Sequence, residues 1–355
     1  MDRNFPYAIF NTKFDPARDR NEISKRLLSH NFRISNRKSS NNFYDLLNVE
    51  TRLILNKKRK VHLSKNLVCP PEHRSGFERL ISKMKSGLDV NHYLSKGIYN
   101  TKKNDGMLLD FGLHHFHLGE GVTLDKSGNS FAERTGPILV AMVKPDDVYC
   151  LGIFSHDENL WVDTNLIKLI HTEWPGCLSH STSRISDMKP DPDSIDRKKF
   201  RKLGLNSPVK VDDGVYYNSL GGGFNAAGGS ILASFNMVNN NHYTLLLEHY
   251  VPSEVVNIIL DRSFASDKGA VKLKLLNTPT WHNNIILHEN TGDLYVVGFY
   301  KTIDDKGHIT KCSIKTINAR FLSKHAVNNE NFVLSKPAIA VISATNCYRN
   351  NNFCF

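Results

Sequence analysis

The sequence predicts an α+β protein of two domains: an antiparallel sheet flanked by helices, then a β-rich half with a few helices. Three observations carry that expectation. The chain of 355 residues is long enough for two domains. Apolar residues recur at helical spacing in some stretches and as short runs bounded by turn residues in others. A polar stretch rich in Ser, Thr, Asp and Pro, residues 179–195, divides the two patterns. The expected parts are therefore 1–178, a linker at 179–195, and 196–355.

Taken in order, a short helix is expected near Glu22–Leu28, and Thr51–Leu55 reads as a strand entering a basic run. Cys69-Pro70-Pro71 then breaks the chain. The clearest helix follows. Ser75 and Glu78 have capping-box spacing, Phe77, Leu80, Ile81 and Met84 form an apolar stripe, and Gly87 is the natural stop. Leu108–Leu118 reads as a buried strand. Ile138–Val143 and Val148–Phe154 flank Lys144-Pro145-Asp146-Asp147 as a hairpin. A helix from Asp163 to Thr172 ends at Trp174-Pro175-Gly176. Beyond the linker come a basic helix (Ser194–Leu203), a strand (Val209–Tyr217), a glycine-rich turn (Gly221–Gly229) and a strand at Ser230–Phe235. Helices at His242–Tyr250 and Ser253–Asp261 follow, then strands at Ala270–Leu276, Asn284–His288, Leu294–Tyr300, His308–Ile317 and Pro337–Ser343.

Composition narrows the classes. With 40% apolar and 10% aromatic residues the chain can bury sizeable cores, which excludes wholesale disorder. No stretch has the ~20 apolar residues of a membrane span, and the first residues lack the layout of a secretory signal. Six cysteines are scattered with no CxxC, as in a reducing compartment. A cytoplasmic protein without a membrane partner is expected, and no cofactor is called for.

Charge is uneven. Residues 1–100 hold 20 Lys and Arg against 9 Asp and Glu, whereas residues 101–300 hold 18 against 23. A basic lobe on a near-neutral body suits a polyanion, with nucleic acid the expected one. Arg52, Lys57, Lys58, Arg59, Lys60, Arg79 and Lys83 are the candidate nucleic-acid contacts. A solvated face with scattered counter-charges is the plain alternative.

The chemistry is expected around Leu113-His114-His115-Phe116-His117-Leu118. On a strand, His115 and His117 share one face while His114 and Phe116 share the other. His156 follows the hairpin's second strand, where a side chain emerges at a sheet end. Imidazoles titrate near neutral pH and serve as general acid and base, and Arg134 can steady a developing negative charge. Two other readings stay open. The histidines can be core residues with satisfied nitrogens. They can also begin a metal site, completed by His156, Asp110 or His171. The cluster Gly221–Gly229 formally fits a dinucleotide fingerprint, but the strand-like Ser230–Phe235 after it favours a tight turn over a phosphate cradle. No Gly-x-Ser-x-Gly elbow occurs.

On these residues the stretch 113–157 resembles the RelE/ParE-type bacterial toxins. The elements that carry the likeness are His117-Leu118-Gly119, Arg134, the strand Ile138–Val143, and Val148–Ser155 followed by His156-Asp157. The block Leu113–Leu118 with His156 and Trp174-Pro175 also resembles a set of bacterial proteins, a likeness that implies no activity. The toxin resemblance implies an RNA-directed protein, and many members of that group are ribonucleases countered by a protein antitoxin. On that basis the expected function is a metal-independent endoribonuclease with His115, His117, Arg134 and His156 at its centre. The alternatives are a non-catalytic nucleic-acid- or protein-binding component of a defence or toxin–antitoxin system, and a His-ligated metal hydrolase.

Overall fold

The structure is a computed structural model that describes residues 12–31, 42–125, 128–181, 192–211, 214–260, 271–276, 284–288, 293–303 and 309–318. It has the expected α+β composition. In chain order the elements are β1 (Thr12–Lys13), α1 (Pro16–Asn31), α2 (Asn42–Glu50), β2 (Lys60–Leu63), α3 (Arg74–Ser86), α4 (Gly106–Phe111) and β3 (Leu113–His117). Then come β4 (Val122–Leu124), β5 (Ser130–Ala132), β6 (Pro137–Val143), β7 (Asp147–Ser155), α5 (Asn165–Glu173) and α6 (Ser194–Lys202). The last are β8 (Val209–Lys210), β9 (Tyr216–Tyr217), α7 (Ile231–Leu260), β10 (Val271–Leu275), β11 (Asn284–His288), β12 (Asp293–Ile303) and β13 (Ile309–Asn318). The expected strand at Pro337–Ser343 lies outside the described residues.

The chain forms two compact units, one built mainly from Tyr44–Asn236 and the other from Met1–Leu27 with Met237–Phe355. This differs from a boundary at 179–195. Residues 194–236 group with the histidine-bearing sheet because a buried carboxylate requires them. Asp110 on α4 is buried and meets Arg197 and Arg201, one turn apart on α6, at 3.4 and 2.9 Å. Residues 182–191 of the expected linker lie outside the described residues.

The histidine-bearing unit is organised on a four-stranded sheet of order β2-β7-β6-β3. The β6–β7 hairpin is antiparallel, β3 is antiparallel to β6, and β2 joins β7 in parallel, so the sheet is mixed rather than wholly antiparallel. Each face carries its own core. Phe77, Leu80, Ile81 and Met84 of α3 pack on one face against Phe116, Leu139 and Cys150. Leu166, Ile167 and Ile170 of α5 pack on the other against Leu113, Ile138, Val140 and Leu151.

Local differences from the sequence reading have physical causes. Leu108–Phe111 is the end of a short helix, not strand. Asp105 caps it by accepting from the Met107 and Leu108 amides, and Gly112 at φ 68° turns the chain into β3. Thr51–Leu55 forms no strand, because Arg52 and Ile54 are tied to neighbouring loops. Helix α3 begins without a side-chain cap at His73, so the Ser75–Glu78 spacing forms no capping box, but it ends as expected at Gly87 with φ 76°. Ser230–Phe235 is the entry to α7 rather than a strand, and α7 runs through Pro252 as one helix.

The second unit's sheet has the order β1-β10-β11-β12-β13, with β1 parallel to β10 and the rest antiparallel. The buried Asp19 carboxylate accepts from the Leu275 amide at 2.8 Å, which ties α1 to β10.

Candidate functional site

Two strand alternations and one irregularity bring the imidazoles together. On β3, Leu113 and Phe116 belong to opposite cores, so His115 and His117 lie on the Leu113 side and His114 on the Phe116 side. On β7, Val148 and Cys150 face the α3 core. An unbroken alternation would put position 156 on that same side. The strand is bulged instead. Val140 is opposite Gly152 and Ala141 is opposite Cys150, so Leu151 is an extra residue. Beyond it the alternation is reversed: Ile153 packs on the α3 core and Phe154 on the other. His156, two residues further, thereby falls on the side of His115 and His117. Its amide donates to Gly136 O at 3.2 Å, which holds the turn beside β6.

The ring centroids of His115, His117 and His156 are 5.8–6.1 Å apart pairwise. Trp161 packs on two of them, 4.9 Å from His115 and 5.0 Å from His156. Its carbonyl accepts from Arg201, whose Nε is bound to Asp110. An open cavity of 440 Å³ adjoins the cluster, and His115, His156, Arg134 and Trp161 line it together with Lys103 and Asp105. His117 does not line it. It is 3% exposed and sits behind, its ring nearly parallel to that of His156.

Burial and the surrounding charge set the protonation of the pair on β3. Burial, then the nearby Arg134 guanidinium, brings His117 down to about 4. His115 is lowered mainly by burial, opposed by Asp105 and reinforced by His156, Arg134 and Lys103. Both rings are therefore neutral at pH 7 and able to accept a proton. His115 Nδ1 has no hydrogen-bond partner among the described residues, whereas a hydrogen bond to the Thr135 backbone opposes the lowering of His117.

No family model, curated protein or solved structure matches this chain. The site has to be read from its own chemistry.

One ligand nitrogen from each of the three rings can be chosen so that all lie within 4.8 Å, so a single transition-metal ion could be held after a small contraction. One feature opposes that fit. The fixed charge that most depresses His117, Arg134, is positive, which disfavours a dication and favours an anion.

The basic residues singled out by sequence are placed unevenly. Arg52 is buried at 4% exposure with its guanidinium bound to main-chain carbonyls. Arg59 donates to Leu55, Lys57 and Lys144 carbonyls, and Lys57 is paired with Asp146. Arg79 donates to the Glu120 carbonyl, and Lys83 approaches His92. Lys58 and Lys60 are exposed. Of the seven, only Arg52 reaches the cavity wall, and its guanidinium is already engaged by the fold. His171, named as a possible ligand, instead bonds the Tyr217 hydroxyl at 2.9 Å.

The glycine cluster is a packed turn. A Cβ on Gly221 would lie within 2 Å of the Leu108 carbonyl oxygen, and the amides of Gly222, Gly223, Gly228 and Gly229 donate to protein oxygens. Donors so committed do not cradle a phosphate. Sequence reasoning missed Lys103, Asp105, Trp161 and Arg201. Their only sequence signal was charge or aromaticity, and their role arises from folding.

Proposed function

We propose that this protein cleaves RNA without a metal ion, by proton transfer between the substrate and two imidazoles at the 440 Å³ cavity. The observation that carries the reading is the convergence of His115, His156 and Arg134 on that one open wall. The resemblance of residues 113–157 to RelE/ParE-type toxins points the same way. His115, held neutral by burial, accepts the proton of a ribose 2′-hydroxyl. The 2′-oxygen forms its bond to the adjacent phosphorus as the bond to the 5′-oxygen breaks. His156, exposed at the cavity, protonates that leaving oxygen. Arg134 steadies the extra negative charge on the phosphorane. His117, behind the wall, positions the other two rings and excludes water from their inner side.

The test is incubation of the full chain with a single-stranded oligoribonucleotide in EDTA. The expected products carry a 2′,3′-cyclic phosphate and a 5′-hydroxyl. His115→Ala and His156→Ala should each reduce the rate by about 10²–10⁴-fold, with RNA binding retained. Binding without cleavage by the parent protein would leave the non-catalytic binding reading. Cleavage abolished by EDTA and restored by zinc or manganese would turn the three imidazoles into metal ligands, the arrangement that their spacing of 4.8 Å or less favours.

A further inference from the structure

A single buried side chain organises one part of the cavity lining. The Arg52 guanidinium donates through Nη1 to the carbonyls of Lys103 at 2.6 Å and Gly97 at 3.2 Å, and through Nη2 to that of Asn100 at 3.0 Å. Its Nε donates to Asn48 O at 3.1 Å. These bonds draw the two ends of the segment 97–103 together. The Lys103 side chain then lies across the bare α-carbon of Gly97. A Cβ built there would be 2.6 Å from Lys103 Cδ and 3.1 Å from both Cε and Nζ.

Four cations line this cavity, and two of them are committed. Arg52 is bound to carbonyls and Arg201 to Asp110. Lys103 and Arg134 are exposed, and neither side chain forms an ion pair among the described residues. The acid in the same lining, Asp105, has Oδ1 engaged by two amides of the α4 cap. A lysine whose stem is seated on glycine loses less rotamer freedom on gripping an anion than a free surface lysine does.

We propose that Lys103 is a substrate-binding residue that contacts a backbone phosphate of the RNA strand, a second cation beside Arg134, seated by Gly97 and placed by Arg52. The inference rests on the RNA-cleavage reading and names the strand phosphate as the ligand recognised. The sequence hid it, because Lys102-Lys103 lies apart from the dense basic run at Lys57–Lys60.

The experiment is fluorescence anisotropy of a labelled, uncleavable 2′-O-methyl oligonucleotide against the full-length protein over a range of salt. Wild type should bind with a salt-dependent affinity. Lys103→Ala should weaken binding about tenfold near 0.1 M salt and reduce the log–log salt slope by about 0.7, the loss of one phosphate contact on a single strand. Lys103→Arg should keep the slope. Gly97→Ala leaves the net charge unaltered but displaces the lysine stem, and should give a smaller loss of the same kind. Lys103→Ala with the affinity and slope of wild type overturns this inference while sparing the cleavage reading. A wild-type protein that does not bind the oligonucleotide at low salt overturns both.

Discussion

His114 makes the chain's acid stability calculable. Its ring lies on the α3 side of the sheet, 6.2 Å from that of Phe116, and both nitrogens are buried. Burial, the largest influence, brings its pKa from 6.5 to about 4. The unfolded chain therefore takes up a proton as pH falls through 6.5, and the folded chain resists protonation until about 4. Stability is complete above 6.5, declines as pH drops across that interval, and is flat again below it. At about 1.4 kcal/mol per unit, a displacement of two to three units corresponds to roughly 3 kcal/mol. Urea unfolding at pH 7 and at pH 4 measures this. In His114→Leu the difference between the two pH values should shrink by about 3 kcal/mol. A variant that loses as much stability on acidification as wild type would refute the reasoning and move the acid sensitivity to His117 or elsewhere.

Two further outcomes test the framework. Gly152→Ala places a Cβ 2.8 Å from the Phe154 ring, so it should destabilise the unit by about 1–3 kcal/mol in urea and, on the proposed function, slow RNA cleavage by shifting the end of β7 that leads into His156. Asp110→Ala leaves Arg197, 1% exposed, without its counter-charge, and should cost about 3–5 kcal/mol in the same assay. Replacing Asp110, Arg197 and Arg201 together by apolar residues of similar size should recover much of that loss, because no uncompensated ion remains buried.

The hairpin and the amphipathic helices were legible because periodicity reports which side of an element is buried. The Ile138–Val143 and Val148–Phe154 strands and the α3 stripe were found within a residue or two of their ends. The 108–111 segment was misread because Met107, Leu108, Leu109 and Phe111 are apolar on every side of a short buried helix, which erases its period. The meeting of His115, His117 and His156 was anticipated from strand ends, yet its cause was not. A one-residue bulge at Leu151 has no signature in a continuous apolar run. The basic run was legible as charge but not as a surface, because whether an arginine faces water or satisfies loop carbonyls depends on distant backbone. Arg52 shows how far that can mislead.

The parallel pairing of β2 with β7 sets Lys60 opposite Asp147 and Leu63 opposite Cys150. No tight reversal can join strands that run the same way, so everything from Ser64 to Asp146, including the whole histidine strand, is enclosed in the connection between two neighbours. Severing the backbone anywhere inside that connection leaves the outer strand on one fragment and its hydrogen-bonding template on the other. Neither fragment can then complete the platform alone, and the histidine centre belongs to an architecture closed by its first and last contributors in chain order.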